Sequence, residues 1–170
     1  MRILALDKEV HDRNKFDCGE PALNNYLKQV SGQHHKKDLS RTFVLTSEKN
    51  EAQIKGFYSL ALCKVSLKEL PPEIAKKYPT EVYCTLLGRL AVNEVHQRQG
   101  FGALLLIDAI LNAINSSDLV PKPMIIVDAK NEYARNFYVS FGFSPFPNNL
   151  NKLFMLQDEA KKMLQEAGVL

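Results

Sequence analysis

The stretch that decides the fold runs from Leu86 to Asn115 and reads LLGRLAVNEVHQRQGFGALLLIDAILNAIN. It begins with the apolar run Leu86 to Val92, which predicts a buried strand. A polar turn and the glycine-containing segment 97–102 follow. The pattern then becomes helical, and the few polar residues of this helix fall on one narrow stripe of its surface. The apolar positions of this nearly buried helix are Leu104, Ile107, Leu111 and Ile114. The layout is therefore strand, glycine turn, helix.

A glycine turn that opens a helix is typical of an anion-binding site. The first turn of a helix has unpaired N–H groups and a partial positive charge. Gly100 and Gly102 carry no side chain, so a ligand can approach the backbone, and Arg98 can add a charged contact. The stretch suits a phosphate or pyrophosphate. It lacks the glycine spacing of the dinucleotide fingerprint and the Lys-Ser/Thr pair of a P-loop. A tight turn into a core helix is the alternative.

A second strand-and-helix pattern follows the predicted helix in the sequence. An apolar run, Met124 to Val127, predicts another buried strand. After it come NEYARNFY at positions 131–138 and FGF at positions 141–143. Together the two segments resemble the paired motifs of the GNAT superfamily of acetyltransferases, with Gln97, Gly100 and Gly102 in the places of its first motif.

The resemblance implies acetyl-CoA as co-substrate and assigns residues to it. The loop would wrap the pyrophosphate with Gln97, Arg98, Gln99, Gly100, Phe101, Gly102 and Ala103. Backbone groups of Leu90, Ala91 and Val92 would meet the pantetheine arm, and Asn131 and Phe137 would also contact the coenzyme. The residues themselves indicate that Asn131 caps the helix that follows it.

Tyr138 is the candidate catalytic residue. The resemblance places a tyrosine here as the acid that protonates the coenzyme thiolate, and a phenol with a pKa near 10 suits that task. Ala134, Phe137 and Phe141 share an apolar helix face with Tyr138, so a purely structural role in the core is the alternative.

The resemblance narrows to the GNAT toxins of bacterial toxin–antitoxin pairs. The segments that carry it are FDCG at 16–19, SRTFV at 40–44, GFYSL at 56–60 and LGRLAV at 87–92. It implies acetylation of the α-amine of aminoacyl-tRNA and a ribbon–helix–helix antitoxin as partner, and it leaves a homodimer open. Two other functions stay open: acetylation of a small amine or a protein, and a non-catalytic coenzyme-binding module.

Positive side chains are the candidates for contact with the acceptor. Six of them are candidates for the clustered charge that tRNA binding needs, namely Arg13, Lys15, Lys28, Lys36, Lys37 and Arg41, and Lys36, Lys37 and Arg41 are assigned to tRNA. Scattered solvated charge is the alternative for all six. Arg89 lies in an apolar strand, where it either meets the acceptor or reaches a strand edge. The His34–His35 pair favours a solvated surface over a metal site, because adjacent helix residues face different ways.

Bulk properties are those of an ordinary globular protein. A length of 170 residues predicts one domain over 1–170, with a helical tail at 158–170. The formal charge of +3 permits a polyanionic partner without requiring one. Three cysteines without CxxC spacing favour neither a disulfide framework nor a zinc site, so a cytoplasmic location is expected. No signal peptide is evident, and no stretch is predicted to cross a membrane.

The predicted fold class is α/β, a GNAT-like domain with a mixed central sheet of six to seven strands flanked by about four helices. Predicted strands are Arg2 to Leu6, Thr42 to Thr46, Ile54 to Leu62 and Leu153 to Leu156. A helix is predicted from Glu20 to Val30 and a turn from Pro145 to Asn149. Lys64 to Thr80 is predicted to be a long loop, either beside the active face or a plain surface connection.

Overall fold

The computed structural model describes residues 1–170 as seven strands and six α-helical segments. The strands are β1 (Arg2–Ala5), β2 (Ser40–Thr46), β3 (Gly56–Val65), β4 (Val82–Val92), β5 (Met124–Asp128), β6 (Ser144–Phe146) and β7 (Asn149–Leu156). The helices are α1 (Pro21–Asn25), α2 (Ser31–Lys36), α3 (Pro72–Ala75), α4 (Phe101–Leu119), α5 (Glu132–Ser140) and α6 (Gln157–Glu166).

The strands form one mixed sheet in the order β1-β2-β3-β4-β5-β7-β6. β4 pairs with β5 in parallel, whereas β1 with β2, β2 with β3, and β7 with β5 and β6 pair antiparallel. The predicted α/β class with a mixed sheet is therefore confirmed. β4 is followed by a turn and α4, which is the strand–turn–helix layout that the 86–115 stretch predicts.

The chain divides into two compact units. The first comprises residues 1–61 and 88–109. Its apolar core includes Phe16, Tyr26, Leu27 and Phe57, all of them buried. Gly56 lies at a close approach between elements, since a Cβ there would lie 2.7 Å from a methyl group of Leu105 and 2.9 Å from Ala91 O. Only a glycine allows this approach.

The second unit comprises residues 62–87 and 110–170. Its core includes Val65, Cys84, Met124 and Phe154, and the segment between β3 and β4 packs against it through Leu67, Leu70, Ile74, Ala75 and Tyr78. Lys152 donates to Glu69 at 2.8 Å and ties this segment to β7. The predicted long loop is thus a packed connection that contributes to the core.

One local prediction was wrong and another was right only in part. The helix that starts at Pro21 does not end at Val30, because a π-helical turn (Tyr26–Val30) leads directly into α2. The hydroxyl of Ser31 donates to Leu27 O at 2.7 Å and is buried there. The predicted turn at Pro145 to Asn149 is confirmed at Pro147 and Asn148 only, because Pro145 and Phe146 belong to β6, an edge strand, and Asn149 begins β7. Proline is tolerated at an edge because no neighbour needs its missing N–H.

The buried face of α4 is offset from the predicted one. Leu104 is 40% exposed, whereas the fully buried positions are Leu105, Leu106, Ala109, Ile110, Ala113 and Ile114. With 19 residues this helix is also long and apolar enough to cross a membrane. This finding corrects the expectation that no stretch of the chain has the length of a membrane span. A single helix of this kind is weak evidence, because the core helix of a soluble protein passes the same test.

Candidate active site

The loop between β4 and α4 has an unusual backbone. Asn93 caps a 3₁₀ turn (Glu94–His96) by accepting from Val95 N at 3.3 Å. Arg98 and Gly100 then have φ values of 62° and 83°. Glycine adopts this region freely, but in a non-glycine residue it costs about 1–2 kcal/mol. Strain of this kind often marks a functional turn. The positive φ belongs to Arg98 and Gly100 and not to Gly102, which lies inside α4.

Gln97 holds this loop in place. Its side-chain amide donates to Val92 O at 2.9 Å and to Cys18 O at 3.2 Å. The first bond closes the loop onto the end of β4, and the second ties it to the segment before α1. With its NH₂ group used in this way, Gln97 shapes the loop.

The loop has the properties of an anion site. α4 begins at Phe101, so the N–H groups of its first turn have no carbonyl partner within the helix. A Cβ at Gly100 would meet nothing within 4 Å, so the space beside the backbone is open. Arg98 and Gln99 are exposed, while Phe101, Gly102 and Ala103 are half-buried. A pyrophosphate fits these features, since it needs exposed N–H groups and close backbone approach.

Two basic residues beside the loop were missed by the sequence analysis. Lys55 Nζ lies 5.8 Å from the ring centroid of Phe101, and the ring of His96 contacts the same residue at 6.3 Å. Burial lowers the pKa of His96, and the charge of Lys55 adds to that effect. Lys55 precedes β3 in the sequence, so no local pattern connects it with residue 101.

Tyr138 lies in α5, whose start and end are both well defined. The side chain of Asn131 accepts from Ala134 N at 2.8 Å, which confirms the predicted N-cap. The helix ends where Phe141 N and Phe143 N both donate to Tyr138 O, at 3.1 and 3.2 Å, and Gly142 adopts a φ of 102°. The Gly-Phe sequence after the tyrosine therefore supplies the helix stop.

The ring of Tyr138 is held by other aromatic rings. Phe137 and Phe143 contact it at centroid distances of 5.3 and 5.7 Å, and only 7% of the residue is exposed. Burial raises the pKa of Tyr138 to about 12, because it disfavours the phenolate, and the charge of Asp128 acts in the same direction. The ring packs as a core residue would, and the phenol stays protonated at any ordinary pH. A protonated phenol is the form that a general acid requires.

Arg89 is held by an aromatic cluster in the first unit. Its guanidinium lies 3.9 Å from the ring centroid of Tyr26, in cation–π geometry. The hydroxyl of Tyr26 hydrogen-bonds to Ser40 Oγ at 2.7 Å, and the ring of His34 meets that of Tyr26 at 5.7 Å. The observed contact is thus with Tyr26.

The three other cations assigned to tRNA differ in their surroundings. Arg41 pairs with Asp38 at 2.6 Å and donates to His35 O at 3.3 Å, so it holds the start of β2. Lys36 and Lys37 are exposed at the end of α2. Of this set, only the two lysines present charge without a carboxylate partner.

Comparisons with known proteins identify the family to which the chain belongs. The profile of the family described as FR47-like protein matches residues 59–150. The chain is 33% identical over 156 residues to the tRNA-acetylating toxin of Mycobacterium tuberculosis (strain ATCC 25618 / H37Rv), covering 92% of each chain. The chain belongs to the FR47-like family of GNAT acetyltransferases. The resemblance to GNAT enzymes, and within them to the tRNA-acetylating toxins, is therefore confirmed.

Two solved structures show what relatives of this FR47-like chain bind. AtaT complexed with acetyl-methionyl-tRNAfMet is 32% identical, with a TM-score of 0.87 over 96% of this chain and 98% of that one. A tyrosine-to-phenylalanine mutant of AtaT bound to the C-terminus of the antitoxin AtaR and acetyl-CoA is 29% identical, with a TM-score of 0.81 over 96% and 97%. The fold is thus shared along nearly the whole of each chain.

Proposed function

We propose that this FR47-like enzyme transfers the acetyl group of acetyl-CoA to the α-amine of an aminoacyl-tRNA and thereby blocks translation. The observation that carries the proposal is the similarity, over nearly the full chain, to a tRNA-acetylating toxin and to AtaT in complex with acetylated methionyl-tRNA. The positive-φ loop before α4 and the buried, protonated Tyr138 are the parts of the chain that this chemistry requires.

The reaction makes one bond and breaks one. The neutral amine attacks the thioester carbonyl carbon, a C–N bond forms, and the C–S bond breaks. In the proposed role, the phenolic O–H of Tyr138 gives its proton to the departing thiolate, and the acetylated amine loses a proton to water. The pyrophosphate of the coenzyme is held at the first turn of α4, with Arg98 as a charged contact and Gln97 as the brace of the loop.

An α-amine is the acceptor that needs the least help. At pH 7 about 15% of an amine with a pKa near 7.8 is neutral, against about 0.04% of a lysine side chain. The amine of an aminoacyl ester is more acidic than an ordinary α-amine, so more of it is neutral. The reaction therefore does not depend on a strong general base.

The proposal also covers the enzyme's protein partner and its location in the cell. A ribbon–helix–helix antitoxin would neutralise the enzyme in the cytoplasm, where charged tRNA is used. The AtaT structure bound to the C-terminus of AtaR supports an antitoxin tail as the inhibiting segment. A homodimer is compatible with the proposal but is not required by it.

The test of this function is acetyl transfer to charged tRNA. Purified enzyme with labelled acetyl-CoA should place label on total aminoacyl-tRNA and not on the same tRNA after deacylation, because deacylation removes the amine. Expression without an antitoxin should arrest growth. If label stays off the charged pool while peptides or polyamines are acetylated efficiently, the acceptor is a different amine.

The pH dependence of turnover gives an independent check on Tyr138. With its pKa raised to about 12, the phenol should be about 0.3% ionised at pH 9.5, whereas a phenol with a pKa of 10 would be about 24% ionised. The rate should therefore rise with pH as the amine loses its proton and should show no fall up to pH 9.5. The measurement uses an acceptor with an amide in place of the labile ester. A descending limb centred near pH 10 would contradict the buried-acid assignment.

A further inference from the structure

Asp128 is the last residue of β5 and the one exposed residue of that strand. The parallel pairing of β4 with β5 ends one residue earlier, at Leu87 and Val127. Ala129 N then donates to Asn151 O at 2.7 Å, which fixes the backbone directly after Asp128. The carboxylate therefore lies at the carboxyl end of a parallel strand pair, which is where open α/β sheets bind their ligands.

The protein leaves this carboxylate without a partner. The side chain of Asp128 forms no hydrogen bond and no ion pair. Its neighbour on β7 in the strand register is Lys152. Lys152 Nζ instead pairs with Glu69 at 2.8 Å and lies 5.0 Å from the ring centroid of Phe146. An exposed carboxylate on a fixed backbone has its oxygens available for the N–H groups of a ligand.

The charge of Asp128 acts on the candidate acid. α5 begins four residues after Asp128 and carries Tyr138. Burial is the main cause of the raised pKa of Tyr138, and the Asp128 carboxylate is the charged group that adds to it. Burial also raises the pKa of Cys63 to about 11, and the charge of Lys152 opposes this. The carboxylates of Asp128 and Glu69 raise it further, so the phenol, the thiol and these charges share one region of the second unit.

The acceptor nitrogen comes close to Tyr138 in the proposed reaction. The phenol donates to the coenzyme sulfur, and the carbonyl carbon is bonded to that sulfur. Before the C–N bond forms, the attacking nitrogen lies about 3–3.5 Å from this carbon. The nitrogen gains a positive charge as the bond forms. A carboxylate that accepts a hydrogen bond from one of its N–H groups stabilises that charge.

We propose that the Asp128 carboxylate accepts a hydrogen bond from the attacking α-amine of the aminoacyl-tRNA and stabilises the positive charge that develops on its nitrogen. The inference rests on the proposed function and adds a second catalytic residue to it. The balance of the reaction is unchanged: the C–N bond forms, the C–S bond breaks, and Tyr138 gives its proton to the thiolate. The nitrogen then loses its extra proton to water, and Asp128 stays ionised throughout.

The test separates the charge of Asp128 from its shape. Asp128→Asn keeps the shape and removes the charge, whereas Asp128→Glu keeps the charge on a longer side chain. The control is Asp118→Asn, which makes the same change in charge at an exposed position in the last turn of α4. kcat for acetyl transfer to charged tRNA is measured for the wild type and the three variants, with calorimetry of acetyl-CoA binding and thermal unfolding on the same samples.

Asp128→Asn should lower kcat by about 10²-fold, because it removes a charge that acts mainly in the transition state. Its affinity for acetyl-CoA and its thermal unfolding should stay as in the wild type, since the side chain is exposed and unpaired. Asp128→Glu should retain about 10-fold more activity than the Asn variant, because it keeps the carboxylate. Asp118→Asn should match the wild type.

The pH dependence gives a readout that a change in packing would not move. A carboxylate beside the bound amine favours its ammonium form and so raises the pKa of that amine. In Asp128→Asn, the rise of kcat with pH should therefore shift to lower pH by about one unit. The profile is measured at saturating acceptor, with an amide in place of the labile ester.

Wild-type kcat in Asp128→Asn would overturn the inference while wild-type acetylation of charged tRNA upheld the function. Equal losses in the Asn and Glu variants, with an unmoved pH profile, would assign Asp128 a structural role and overturn the inference as well. If the wild-type enzyme fails on charged tRNA, the proposed function falls and the inference falls with it.

Discussion

Replacing Tyr138 with phenylalanine should lower turnover by about 10²-fold or more and leave the fold and the affinity for acetyl-CoA intact. The change removes only the hydroxyl, and the ring contacts with Phe137 and Phe143 remain. Without the phenolic proton, the thiolate must leave as an anion or take a proton from water. The measurement is kcat for acetyl transfer to charged tRNA, with thermal unfolding and calorimetry on the same samples.

Tyr133 offers a matched control on the same helix. It is 83% exposed, so Tyr133→Phe makes the same chemical change at a position without a packed ring. Its turnover should equal that of the wild type. If Tyr138→Phe retained full turnover, the tyrosine would be a core residue of α5 and another group or water would supply the proton.

Replacing Gly102 with valine should abolish the binding of acetyl-CoA. Gly102 lies in the first turn of α4, where the unpaired N–H groups are, and a branched side chain there would obstruct the approach of the pyrophosphate. The fold should survive, because valine is no worse a helix former than glycine and the residue has no positive φ. Calorimetry with acetyl-CoA is the measurement.

Asn115→Val provides the comparison for this variant. Asn115 lies in the same helix but is exposed and far from its first turn. The substitution tests whether a β-branched residue in α4 disturbs the helix by itself. The Asn115 variant should bind acetyl-CoA normally. Wild-type affinity in a folded Gly102→Val protein would remove the phosphate-loop assignment and leave the alternative, a tight turn into a core helix.

The loop before α4 also shows that two neighbouring glycines can have different roles. The sequence points to both Gly100 and Gly102, but only Gly100 has positive φ, and Arg98 shares that region. A glycine can be required for its dihedral angles or for the space beside it, and a pattern of glycines does not separate the two. The backbone geometry is needed to decide which substitution strains the turn and which obstructs a ligand.

Local patterns alone determined much of this protein. The apolar run 86–92, the glycine turn and the helical spacing after it predicted the order strand, turn, helix around β4 and α4. The Asn131 cap was also readable, because capping depends on a few neighbouring residues. The resemblance in the two motifs predicted the family, which the FR47-like match confirms.

Only the tertiary structure decided what the polar side chains do. Gln97 bonds to Cys18 across 79 residues, Arg89 stacks on Tyr26, and Arg41 is neutralised by Asp38. A side chain's partners are set by distances in the folded chain. Propensity and periodicity act over a few residues, so they predict the elements but not these contacts.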